Sequence, residues 1–280
     1  MRRTSIPTLI LLLLAAALPA AAGIHYTADT TTTGPGAEQA TSVEAWVDGA
    51  AAKIVFHESG TPVLEKGNYI VTTDGGKTLY LVNPEEKAYA EWDLEAMLQM
   101  VGSVMQAMGP MLNIQIDNVE VEELGSAAGP AMHGLATTHA RYRTRYDMKV
   151  KVLGMARTHH VDSEQEIWST GELADPALGV WLRGTPATGF ADLDELVEAE
   201  MSKLQGFPLK TVTRTTTTGQ KGKREQTTVT TMEVTELDRG VDVPSSTFEI
   251  PEGYQRSEAM LPAEGEEEEG NPFSKIFGGG

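Results

Sequence analysis

Alternating apolar and polar residues run through most of this chain, and a period of two predicts β-strands with one buried face. The clearest run is His139 to Val152. His139, Arg141, Arg143, Arg145, Asp147, Lys149 and Lys151 fall on one side. Ala140, Tyr142, Thr144, Tyr146, Met148, Val150 and Val152 fall on the other. A long strand with one wet and one apolar face fits an antiparallel sheet, because parallel strands are covered on both faces. Thr41 to Val47 leads through Asp48-Gly49 into Lys53 to Glu58, a hairpin pattern. Tyr69 to Thr72 leads through Asp74-Gly75-Gly76 into Leu79 to Val82, and Asn83-Pro84 turns the chain toward Tyr89 to Trp92. Ile114 and Ile116 sit on one phase and Val119 and Val121 on the other, which predicts a bulge near Asp117. Lys210 to Thr218 and Glu225 to Leu237 flank Gly219 to Gly222 as a threonine-rich hairpin.

Two segments switch to the helical period. The first starts at Asp93 as N-cap and stops at Gly109-Pro110, with Met97, Met100, Val101, Met105 and Met108 on a broad apolar face. The second runs from about Ala191 to Gln205, with Leu193, Leu196, Val197, Met201 and Leu204 on one face and acids on the other. Helices laid on one face of a curved antiparallel sheet would bury both apolar surfaces. The fold class expected is therefore α+β.

Composition sets the compartment and excludes partners. Arg2 and Arg3, the apolar run Leu9 to Leu14 and the small residues Ala20-Ala21-Ala22 read as an export signal over residues 1–22. One domain is expected over 23–256 and an acidic, disordered tail over 257–280, where Glu264 and Glu266 to Glu269 lie. The chain has Cys 0, so an exported domain must rest on its hydrophobic core rather than on disulfides. No lipid-bearing N-terminal cysteine is available either, so no stable membrane anchor is expected. The net charge of −18, more negative still without Arg2 and Arg3, argues against nucleic acid and against electrostatic docking on anionic lipid.

No motif specifies catalysis. There is no Gly-x-Ser-x-Gly elbow, no Ser-x-x-Lys context, and Gly219-Gln220-Lys221-Gly222 lacks P-loop spacing. His159 and His160 precede Asp162, Glu164 and Glu166, but adjacent strand residues point to opposite faces, so no metal site is expected. His25, His57, His133 and His139 show no ligand spacing. Arg141, Arg143 and Arg145 form a row that could recognise a phosphate or carboxylate headgroup, but pairing with glutamates on neighbouring strands is the expectation. No catalytic residue, metal ligand or cofactor is expected.

Several segments resemble a known family: VEAWVD at Val43 to Asp48 before Lys53 to Phe56, Tyr69 to Thr72, Leu79 to Pro84, and Lys87-Ala88-Tyr89. Its closing pattern is matched by Thr228 to Glu236 (TVTTMEVTE), Val243-Pro244 and Ser246 to Tyr254. The family is an uncharacterised group of exported bacterial proteins with the fold of the periplasmic lipoprotein carriers LolA and LolB. The resemblance implies an open, strongly curved half-barrel sheet with helices in its concave side, in a Gram-negative periplasm. It defines no catalytic residues. Together with the methionine-rich helix, it makes a carrier for a lipid, a lipidated protein or another apolar ligand the leading expectation. The ligand would meet Met97, Met100, Val101, Met105, Met108, Tyr142, Tyr146, Met148, Leu196 and Met201. The alternative is a solidly packed envelope structural or interaction module that reaches a protein partner, for instance through the tail. A hydrolase is the third and weakest reading.

Overall fold

The computed structural model describes residues 23–35, 38–59, 65–93, 112–152, 155–173, 198–199, 202–203, 205–219 and 225–257. One sheet holds twelve strands. They are β1 (Gly23–Thr33), β2 (Gln39–Asp48), β3 (Ala51–Glu58), β4 (Tyr69–Thr72), β5 (Thr78–Asn83) and β6 (Ala88–Asp93). Then come β7 (Leu112–Ala128), β8 (Thr138–Val152), β9 (Met155–Thr170), β10 (Phe207–Gly219), β11 (Glu225–Val241) and β12 (Gln255–Arg256). The spatial order is β12-β6-β5-β4-β3-β2-β1-β11-β10-β9-β8-β7. The chain thus makes two meanders, β1 to β6 and β7 to β11, and joins them by pairing β1 with β11. All pairs are antiparallel except β12 on β6, and the sheet stays open between edges β7 and β12.

The hairpins form where the turn residues predict them. Gly49 takes a φ of 58° between β2 and β3, a conformation that costs other residues energy. Asp74 accepts hydrogen bonds from the Thr78 amide (3.1 Å) and the Thr72 hydroxyl (3.0 Å), locking the β4–β5 turn. Asn83 Oδ1 accepts from the Glu85 and Glu86 amides after β5. The expected bulge is present: register shifts between Asp117 and Glu120, with Asn118 at a φ of 56°.

The register also forbids a flat sheet. Call residues directly opposite one another a row. His25, Trp46, Lys53, Val71, Tyr80 and Glu91 share a row, so Asp93 lies two rows below it. Thr31, Thr231, Val212, Glu166 and Arg141 share another, six rows higher, and Leu112 lies opposite Val152, eleven rows above Arg141. On a flat sheet, rows of ~3.3 Å and strands ~4.8 Å apart would put Asp93 and Leu112 about 80 Å from each other. The residues joining them reach about 65 Å when fully extended. Twist and coiling must therefore draw the two edges together.

Both predicted helices fall mainly outside the described residues. Asp93 closes β6, and nothing is described from there to Leu112. Of the second, only one turn is seen, in which the Ser202 amide donates to the Glu198 carbonyl (2.9 Å). Helices on the concave side are thus not part of the observed fold. The signal and the acidic tail also lie outside the described residues. Strand β1 is a gain over the sequence reading, which placed no strand between Gly23 and Thr33.

Candidate ligand-binding face

Register assigns each side chain to one of two faces. The first is apolar in its lower rows: Ile24, Tyr26 and Ala28 of β1, Ala45 and Val47 of β2, Ala52 of β3, Phe207 and Leu209 of β10, and Val234 of β11. Tyr26 meets Phe207 edge to face at 5.5 Å, and burial pushes its hydroxyl up to about 12. Leu135 and Leu173 pack onto this surface. The loop between β7 and β8 carries Leu135 there, closed by the Met132–Leu135 bridge and held by His133 Nε2 donating to the Val234 carbonyl (2.8 Å). Sequence reading missed this plug, since Pro130 to Leu135 has no periodicity to betray it.

The same face continues onto β8 and β9. Ala140, Tyr142 and Ile167 form a buried cluster, and Val150 and Val161 are buried above it. Of the expected ligand contacts, Tyr142 is buried here, with Tyr146 and Met148 half-buried in the next rows. These three share one face of β8, as the alternation predicts. Burial raises the Tyr142 hydroxyl, and Glu123 on β7 adds to the shift. Met97, Met100, Val101, Met105, Met108, Leu196 and Met201 lie outside the described residues.

Between these apolar zones lie rows of uncharged hydrogen-bonding groups. Gln165 Nε2 donates to Thr213 Oγ1 (3.3 Å), Ser163 and Thr215 hydroxyls meet at 3.2 Å, and Thr32 and Thr230 hydroxyls at 3.0 Å. Thr144 is wholly buried beside them. Among the described residues Gln165 Oε1 is buried with no partner, an acceptor left open on this face. From the row of Tyr26 to that of Val161, strands β2, β1, β11, β10, β9 and β8 put no charged residue on this face.

The second face is split. Over β3 to β6 it is apolar apart from charged groups such as Lys53 and Glu91, and covered by the chain after β11: Val243 and Phe248 pack on Tyr69, Val71 and Val82. Over β7 to β10 it is charged, and several of its charges pair across strands. Arg143 donates through Nε to Asp162 (2.8 Å), and Arg145 bridges Glu120 (3.4 Å) and Glu122 (3.2 Å). Arg145 thus pairs with glutamates on the neighbouring strand as expected, whereas Arg143 pairs with an aspartate. The Arg143 hydrogen bonds hold the Asp162 carboxyl below the usual range. His139 stacks on Trp168 at 4.3 Å and donates to Glu166 (2.9 Å), and His160 pairs with Asp147. Asn118 also donates to Asp147 (2.8 Å), and these bonds lower its pKa.

A second grouping was invisible in the sequence. His25 and His57 each donate through Nε2 to one oxygen of Glu44, both at 2.9 Å, tying β1, β2 and β3 together. Burial pushes the Glu44 carboxyl up, but the two imidazoles outweigh it and leave the pKa lowered. Among the described residues no group of three His, Cys, Asp or Glu has the geometry to hold a metal ion, and no helix is long and apolar enough to cross a membrane.

No protein-family model matches this chain, and no curated protein does. Among solved structures it is similar to an outer membrane lipoprotein-sorting protein domain from Vibrio parahaemolyticus, at 8% identity over 81% of this chain and 89% of that one, TM-score 0.29. It is similar to a DUF1329 family protein from Desulfovibrio piger, at 8% identity over 82% of this chain and 90% of that one, TM-score 0.29. PNGF-II is also similar, at 10% identity over 85% of this chain but 31% of that one, TM-score 0.33.

Proposed function

We propose that this chain is a non-catalytic carrier of the bacterial envelope, acting in the periplasm, which holds an amphiphile against the uncharged face of its sheet. One observation carries the reading: an apolar and hydroxyl-lined surface runs without a charged group across β2, β1, β11, β10, β9 and β8. Alkyl chains gain ~0.8 kcal/mol per methylene removed from water, and such a surface leaves that gain unopposed by desolvated charge. Leu135 fills the lower rows, so the ligand belongs higher, where Tyr142, Tyr146 and Met148 face the same side. The threonine rows and Gln165 Oε1 suit an uncharged, hydrogen-bonding headgroup, because a buried acceptor without a partner costs energy that a donor would recover.

The plug supports a second reading, a solidly packed envelope module that acts through a protein partner. Native mass spectrometry of the chain from Gly23 onward, after gentle extraction, separates the two. Co-purifying amphiphile is the expected result. A chain that arrives empty and takes up no added alkyl glycoside overturns the carrier reading.

A further inference from the structure

The charge of this protein is unevenly placed. Strand β10 ends at Gly219, opposite His159, so beyond that row, among the described residues, only β7, β8 and β9 continue. This three-stranded end comprises Leu112 to Ile116, Met148 to Val152 and Met155 to His159, joined by Leu153-Gly154. It contains Lys149, Lys151 and Arg157 and no Asp or Glu, in a chain whose net charge is −18. All three cations are exposed, and no carboxylate pairs with them among the described residues. Lys149 lies opposite Gln115 and Thr158, Lys151 opposite Asn113 and Ala156, and Arg157 opposite Val150. The lysines therefore lie on the charged face and the arginine on the other, so an end-on approach presents all three.

Asp117, next to Ile116 and opposite Asp147, is exposed at the base of this end, whereas the other neighbouring acids are engaged. Asp147 holds Asn118 and His160, Asp162 holds Arg143, and Glu120 and Glu122 hold Arg145. At physiological salt, fields fade within ~8 Å, so acids further down the sheet contribute little at the tip. Half-buried Ile116 and Met148 sit at the base of the end, opposite one another.

We propose that this end of the sheet is a docking surface for an anionic bilayer, with Lys149, Lys151 and Arg157 meeting lipid phosphates. The inference goes beyond the carrier reading and does not need it. It also revises the expectation from net charge: attraction to a surface depends on the charges nearest it, and the outermost ones at this end are Lys149, Lys151 and Arg157.

The test is co-sedimentation of the chain from Gly23 onward with vesicles of phosphatidylcholine, or of phosphatidylcholine with an equal part of phosphatidylglycerol. Binding to the anionic vesicles alone, reversed by high salt, is expected. The triple variant Lys149→Gln, Lys151→Gln, Arg157→Gln should lower partitioning by about 100-fold, from roughly a tenfold gain or less per basic residue. Two variants guard the reading. Lys149→Arg, Lys151→Arg, Arg157→Lys should keep binding, and Lys66→Gln, Lys77→Gln, Lys87→Gln, with the same charge change on the opposite half, should leave it intact. No preference for anionic vesicles, an undiminished tip variant, or equal loss in the Lys66, Lys77 and Lys87 variant would each overturn the proposal. Ligand occupancy by native mass spectrometry is read separately, so either idea can fail alone.

Discussion

Leu209→Ala tests whether the lower rows of the uncharged face are packed core or ligand space. Leu209 is 0% exposed and lies among Ile24, Tyr26, Ala28, Phe207 and Val234, contributed by three strands of the sheet. Removing its outer carbons forfeits about 2.4 kcal/mol at ~0.8 kcal/mol each. A residual cavity raises the cost toward about 5 kcal/mol, because strands pinned by their ladders relax only partly. The matched control is Val121→Ala on edge strand β7, where the side chain is 40% exposed and the cost should stay below about 1 kcal/mol. Urea unfolding followed by tryptophan fluorescence gives both values, with an unchanged m confirming that the same surface is exposed. A loss under about 1 kcal/mol for Leu209→Ala, or equal losses for both variants, would refute the assignment of these rows to the core. The ligand would then have to be placed lower on the sheet, over Leu135.

Other outcomes follow from specific contacts. Gly206 has a φ of 84°, and a Cβ there would stand 2.5 Å from the Thr170 carbonyl oxygen. Gly206→Ala should therefore cost at least about 1–2 kcal/mol, seen as a lowered Tm. Gln165→Leu removes the unpartnered acceptor, so the ligand-free chain should be no less stable while uptake of an alkyl glycoside falls. Glu44, Asp147 and Asp162 have lowered folded pKa values. The stability they supply is present above the unfolded carboxylate range of about 4 and lost as pH falls through the folded values. Unfolding free energy should thus drop on acidification, and Asp162→Asn should flatten that slope in acid titrations followed by circular dichroism. Because Arg143 and Asp162 are about a third exposed, solvent screening keeps the pair's effect small.

Much of the sheet was legible because strand periodicity is local. The faces of His139 to Val152, the Asp74-Gly75-Gly76 turn and the bulge at Asp117 each follow from residues within one or two hairpins. Strand β1 escaped because its outer half, Asp29 to Thr33, is a polar, threonine-rich run without apolar alternation. The plug at Leu135 and the cover formed by Val243 and Phe248 escaped because irregular segments announce no burial. For the candidate face, Tyr142, Tyr146 and Met148 were readable from alternation, whereas its continuity with Leu209 and Val234 depends on pairing between strands far apart in sequence.

Alternation along each strand, set by backbone geometry, sorted the side chains into wet and dry sides before any partner was known. The pairing of β1 with β11 lay beyond it: Thr31 meets Thr231 across almost the whole chain, and nothing local encodes that register. That single pairing fuses two meanders into one sheet, carries the uncharged face across both, and brings His25, Glu44 and Asp238 within one neighbourhood. Total charge was likewise readable from composition, but the isolation of three cations at one end was not. It arises because β7, β8 and β9 outrun β10, a consequence of register and strand length that only the assembled sheet expresses.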